Sequence, residues 1–180
     1  MQHDLITMFC CTNLSGQVRG QGFATRQIEK RLKGGIGWTP NNLMVTSLGT
    51  IAAGVLRAQD DVMLMPDAAT GVAVDFGDGT AAERFYLCDV QNTDGTPWDC
   101  CRRILLRDAA AELLAETGHV LKATFEHEFI YSGANSRIGD NFALDAVRRH
   151  GVFGETSLGA LRAAGVEVDS YLAEFGPGQF

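Results

Sequence analysis

The chain has 180 residues, of which 46% are hydrophobic, 21% charged and 8% aromatic, with 21 glycines. These proportions fit a globular protein with a sizeable core and exclude a disordered, collagen-like or coiled-coil chain, while the glycine excess points to a strand-rich α/β or α+β fold rather than a helix bundle. Fifteen Lys and Arg stand against 22 Asp and Glu, a net charge of −7, and the basic residues are scattered, so nothing here tracks a phosphate backbone and nucleic acid is not an expected partner.

The opening MQHDLITMFC lacks the basic start and the apolar length of a signal peptide, so no export is expected. Residues 5–11 and 17–23 are apolar runs joined by Thr12-Asn13-Leu14-Ser15-Gly16, which predicts a β-hairpin. Residues 25–32 follow as a short helix, with Ile28 and Leu32 four apart and Gly34-Gly35 as its stop. The uncharged window 34–56 is formally long enough to span a bilayer, but Pro40, Asn41, Asn42 and repeated glycines make it a loop followed by a buried segment. No membrane partner is expected. Strands are predicted over 62–65, ended by Pro66, and over 72–74 and 85–90. Residues 103–117 read as a helix with Leu105, Ala109 and Leu113 on one stripe and Gly118 as its stop. A strand over 119–131, amphipathic helices over 140–150 and 156–164, and a last strand over 166–174 complete the reading.

Cysteines fall at Cys10, Cys11, Cys88, Cys100 and Cys101. An odd number in adjacent pairs, with no histidine at zinc-ligand spacing, reads as reduced thiols and a cytoplasmic protein rather than a disulfide framework or zinc site. The most informative spacing is Phe125-Glu126-His127-Glu128-Phe129. In a strand, Glu126 and Glu128 share one face about 6.5 to 7 Å apart, which suits two neighbouring cations, although by spacing alone such alternation more often marks a solvated sheet face. Glu174 is a third carboxylate on the last predicted strand.

Several motifs carry nothing. Asp75-Phe76-Gly77 runs into Asp78-Gly79 without any kinase catalytic loop elsewhere, and the alternating acidic ligands of an EF-hand are missing. Gly16, Gly20 and Gly22 make neither a P-loop nor a dinucleotide fingerprint, and no G-x-S-x-G occurs.

Five segments taken in order resemble the N-terminal part of the glutamine synthetase family, including its γ-glutamyl-amine ligases. They are T-N-L-S-G-Q-V-R-G from Thr12, V-M-L-M-P-D-A-A-T from Val62, Asp89 with Asp94-Gly95-Thr96-Pro97 and Arg103-Ile104-Leu105, the E-x-E-F of Glu126 to Phe129, and the E-x-x-P-G-Q-aromatic segment ending in Phe180. The resemblance implies an α+β fold: a β-grasp-like domain over residues 1–66, then over 67–180 the first part of a catalytic domain with a curved antiparallel sheet and flanking helices. It implies an ATP-dependent ligase that phosphorylates the γ-carboxylate of glutamate and passes the acyl group to ammonia or an amine. Two divalent cations, Mg²⁺ or Mn²⁺, would hold the reactants: Glu126 is similar to a ligand of the nucleotide-side metal, Glu128 and Glu174 to ligands of the metal nearer glutamate.

Two departures stand out. Asn13 takes the place of a family aspartate that helps hold ammonium, which puts ammonia as substrate in question. The family pattern also continues beyond Phe180 with another metal-ligand glutamate, nucleotide loops and a metal-binding histidine, so a truncated, inactive chain is expected. The alternative is a non-catalytic glutamine synthetase-like module that associates with itself or a protein partner. Either way, unpaired sheet edges and exposed apolar surface predict a homo-oligomer.

Overall fold

The computed structural model describes residues 3–54, 56, 57 and 60–180. They form two compact units of α+β character, one from residues up to 73 with 83–121, the other from 74–82 with 122–180.

The first unit is built on a hairpin of β1 (Ile6–Thr12) and β2 (Val18–Ala24), antiparallel from Ile6 opposite Ala24 to Thr12 opposite Val18. Thr7, Phe9 and Cys11 are buried while Ile6, Met8 and Thr12 are exposed, a two-residue period broken at Cys10, which is buried on the other face. A single 3-10 turn leads into α1 (Ile28–Gly34), and Gly35 turns the chain out of it with φ of 63°. Only glycine relaxes there, because a Cβ would sit 2.7 Å from the Leu64 carbonyl oxygen.

Next come β3 (Ile36–Trp38), β4 (Val62–Pro66), a short β5 (Val72–Val74) and the long β6 (Glu83–Asn92). β6 is the central strand. It runs parallel to β1, with Met8 beside Phe85 and Cys10 beside Leu87, and antiparallel to β4, from Val62 opposite Asn92 to Pro66 opposite Cys88. The order is β2-β1-β6-β4-β3. Phe9, Phe23, Leu64, Cys88 and Val90 fill the core beneath it, the two phenylalanines meeting edge to face at 4.8 Å. β3 lies inside the stretch that the sequence reads as loop and buried segment. Three residues bordered by glycine and Thr-Pro are too short to show a period, and the strand exists through its pairing with β4.

α2 (Arg102–Thr117) ends at Gly118 in the left-handed region, as the sequence predicts. Its packing differs from the predicted stripe. Ile104 packs against the core, but Leu105 and Leu113 are exposed, so the helix is held by its first turn.

In the second unit the predicted strands over 119–131 and 166–174 do not form. Ladder pairing of 119–131 is limited to residues 129–131 against 178–180 and residues 121–129 are exposed throughout, while the end of 166–174 makes single bonds, the Phe142 amide to the Ala173 carbonyl and the Glu174 amide to the Gln179 carbonyl. Alternation gives a segment two faces, but a strand also needs a partner edge for its amides, and among the described residues only that short stretch finds one. The helices are α3 (Leu144–Arg149) and α4 (Gly151–Ala163), which meet at His150. α4 starts before the predicted helix over 156–164, and its Gly154 packs closely on Tyr171, where a Cβ would lie 2.8 Å from the ring. Ala146, Ala173 and Phe180 form the core of this unit, ringed by aromatic pairs such as Tyr131 stacked on Phe153 at 4.2 Å and Tyr171 stacked on Phe180 at 5.5 Å. Among the described residues no helix is long and apolar enough to cross a membrane.

Candidate functional site

Two places in the structure hold the residues that the sequence singles out, one in each unit. In the second unit, the Phe129 and Phe180 backbones exchange N–H···O bonds of 3.0 Å each way, and the Tyr131 amide donates to the Gly178 carbonyl at 2.8 Å. Phe180 is buried among aromatic rings and anchors the end of this ladder. The loop before it closes on itself: the Glu174 amide donates to the Gln179 carbonyl at 2.9 Å, the Gln179 amide to the Gly176 carbonyl at 3.0 Å, and the Gly176 amide to the Gln179 Oε1 at 2.9 Å. The other end of the same side chain, Nε2, donates to the Glu128 carboxylate at 2.8 Å.

Gln179 therefore ties Glu128 to the loop that begins at Glu174. Orientation of one carboxylate oxygen by an amide leaves its second oxygen open to solvent, since Glu128 is exposed. Glu126 is also exposed and Glu174 is half-buried. Among the described residues no three His, Cys, Asp or Glu side chains stand close enough to enclose one metal ion. The donor chemistry fits a hard divalent cation, which takes carboxylate oxygens and completes its sphere with water or phosphate.

In the first unit, Asn13 is fully buried at the hairpin turn. Its Nδ2 donates to the Val45 carbonyl at 2.8 Å, and its Oδ1 accepts from the Ser15 and Gln17 amides at 3.0 and 2.9 Å. The Arg102 guanidinium donates to the Asn13 carbonyl. An Asx turn of this kind uses the side chain to complete the turn backbone. Asn13 carries no negative charge, and its Oδ1 already accepts two backbone amides, so it offers an ammonium ion, itself a pure donor, no free anionic acceptor.

Sequence reasoning did not assign roles to the ion pairs beside it. Arg103 bridges Asp67 at 2.8 Å and Asp89 at 3.1 Å, and Arg107 reaches the second oxygen of Asp89 at 2.5 Å. Asp67 also caps the turn after β4 by accepting from the Ala69 amide at 3.1 Å. The available signal was the separation of the proline-aspartate turn, Asp89 and Arg103, three residues already singled out by resemblance; only the fold shows that they meet.

A mixed sheet that carries this turn network, followed by a carboxylate-bearing loop hairpin, makes an α+β scaffold, and comparison with known proteins gives the family. The model of the glutamine synthetase N-terminal domain matches residues 1–98. The chain belongs to that family. Among solved structures it is similar to a crystal structure described as a novel glutamine synthase homolog, with 29% identity and a TM-score of 0.85 over 99% of this chain and 43% of that one. Ligand-free GmaS shares the fold at 14% identity and a TM-score of 0.68, over 97% of this chain and 40% of that one. Plasmodium falciparum glutamine synthetase, solved by cryo-electron microscopy, does so at 16% identity and 0.61, over 98% and 40%. The chain thus spans less than half the length of these relatives. No curated protein sequence matches it.

Proposed function

We propose that the chain contributes the first part of an ATP-dependent ligase that joins the γ-carboxylate of glutamate to an amine, or to ammonia, by way of an acyl phosphate. In this reading residues 1–66 are the β-grasp-like part and 67–180 begin the catalytic part, with β6 lending its central strand back to the first. Glu126 would hold a Mg²⁺ or Mn²⁺ ion on the ATP side, and Glu128 with Glu174 a second ion near glutamate. Divalent ions there would offset the charge of the phosphoryl group as it moves. Gln179 positions Glu128, and its backbone carbonyl holds the Glu174 amide. That single residue, which bonds the Glu128 carboxylate through its side chain and the Glu174 backbone amide through its carbonyl, is the observation that carries the proposal. Asn13, neutral and with its Oδ1 already accepting two backbone amides, gives ammonium no charged acceptor and so favours an organic amine as the attacking group. The cytoplasmic assignment rests on the reduced thiols.

The test is Mn²⁺ binding, read from paramagnetic broadening of the amide signals of residues 126–129 and 174–180. Broadening confined to these segments, and weakened about tenfold in binding constant by Glu128→Gln or Glu174→Gln, is the expected result. Broadening spread over the acidic surface, or unchanged in both variants, would overturn it.

A second reading has a specific observation behind it. α2 exposes Leu105, Leu106, Leu113 and Leu114, which suits a non-catalytic module of the same family that associates with a second copy.

A further inference from the structure

All five cysteines border a single cavity of about 120 Å³ in the first unit. Cys10 and Cys11 come from β1, Cys88 from β6, and Cys100 and Cys101 from the residues that lead into α2. Leu43, Leu87, Val90 and Thr12 fill in the wall, and Arg102 and Arg103 supply its only charges. No carboxylate or imidazole borders it among the described residues. A wall with five sulfur donors, and the Thr12 hydroxyl as its one neutral side-chain oxygen, selects soft ions over Mg²⁺, Mn²⁺ and Ca²⁺.

The strand register picks out two of the thiols. β1 and β6 are parallel with Cys10 beside Leu87, so Cys11 and Cys88, one residue on, stand side by side. Both belong to the same core cluster beneath the sheet. Cys101 joins that cluster, but its Sγ accepts the Val90 amide at 3.1 Å, which takes up a lone pair, whereas the Cys88 Sγ donates its S–H to the Tyr86 carbonyl at 3.7 Å, a bond that leaves with the proton a metal displaces. Since no three such groups gather around one point among the described residues, a trigonal or tetrahedral site is not formed, and Zn²⁺ is poorly served. A pair of thiols suits a monovalent soft cation, which accepts two ligands. Two thiolates and one such ion carry a net charge of −1. Arg102 stands in the wall with a neutral partner, the Asn13 carbonyl, whereas Arg103 is already shared between Asp67 and Asp89.

We propose that Cys11 and Cys88 form a two-coordinate site for a soft monovalent cation of the copper(I) class, with Arg102 supplying the compensating charge. Each thiol exchanges its proton for the metal, so one ion enters, two protons leave, and nothing is oxidised or reduced. Burial pushes the Cys11 thiol up to about 11 and the Cys88 thiol up to about 12. Both are protonated and unreactive at neutral pH, and binding must displace both protons. The other groups that face them are Cys10, itself raised by burial and by Glu83, together with Cys101, Arg102 and Arg103.

The experiment is an anaerobic titration of the full chain with copper(I) against a chromophoric chelator. We expect one tight equivalent per chain, sulfur-only two-coordinate geometry by X-ray absorption, and an affinity that rises about 100-fold per pH unit between pH 6 and 8, the signature of two displaced protons. Cys11→Ser and Cys88→Ser should each remove the tight equivalent, while Cys100→Ser, at the exposed cysteine, should keep it. Because a buried substitution can unfold the chain, the stoichiometry, pH slope and absorption spectrum of the unaltered protein decide the matter alone. No tight equivalent, a slope of one proton or none, or nitrogen and oxygen ligands in the spectrum would overturn the site and leave the thiols as core packing.

Discussion

At Asn13 the whole side chain is committed to the protein's own backbone: one donor bond to the Val45 carbonyl and two acceptor bonds from the Ser15 and Gln17 amides. Replacement by the family's aspartate keeps the acceptor side and turns the donor into an oxygen that faces a carbonyl oxygen, in a position with no exposed surface. Arg102, hydrogen-bonded to the same residue's carbonyl, offsets part of that repulsion. Asn13→Asp is therefore expected to cost about 2 kcal/mol of stability, the scale of a buried polar atom left facing a like partner. Chemical denaturation of both proteins would measure it, and an unchanged midpoint would mean that the turn does not depend on the amide donor. The residue types at positions 12–16 announced a turn; the burial and the Val45 contact, 32 residues away in sequence, could not be read from them.

The hairpin shows why some glycines are fixed by packing and not by backbone angle. Gly20 lies opposite Cys10 in the β1–β2 ladder, and a Cβ there would be 2.0 Å from the Phe9 carbonyl oxygen, a backbone atom that cannot swing aside. Gly20→Ala should loosen the ladder at the centre of the first unit and cost about 3 kcal/mol, the upper end for overpacking; a thermal melt within experimental error of the parent would contradict this. Elements with a period and a neighbour were legible in the sequence: the hairpin, β4, β6 and α2 all appear within a few residues of their predicted bounds. Elements that exist only through a partner were not. β3 has three residues and no period of its own, whereas residues 119–131 have a clear alternation and pair only at their end. The same limit governs the site. Glu126, Glu128 and Glu174 were visible as residue types, but the link from Glu128 to the Glu174 backbone runs through the side chain and the carbonyl of Gln179, and such a link leaves no mark in a spacing pattern.

On the scale of the whole molecule, α2 poses a physical problem. An isolated helix of 16 residues is marginal in water, and this one is attached through its first turn by Ile104 and the Arg103–Asp67–Asp89–Arg107 ion pairs. Beyond that turn Leu105, Leu106, Leu113 and Leu114 are 53%, 63%, 36% and 49% exposed. At about 25 cal/mol per Å², four leucines on one helix are a substantial incentive to find cover. Opposing this is the net charge of −7, which repels a second copy over roughly 10 Å at 0.1 M salt. The two effects have opposite responses to salt, so they can be separated. Mass measured by light scattering should rise with concentration, and rise further when salt screens the charge. Leu106→Glu with Leu113→Glu, both at exposed positions, should return the chain to a monomer at every salt concentration without lowering its melting temperature. Association that weakens as salt is added, or persists in the doubly substituted chain, would show that charged groups elsewhere make the contact and that the leucines of α2 do not.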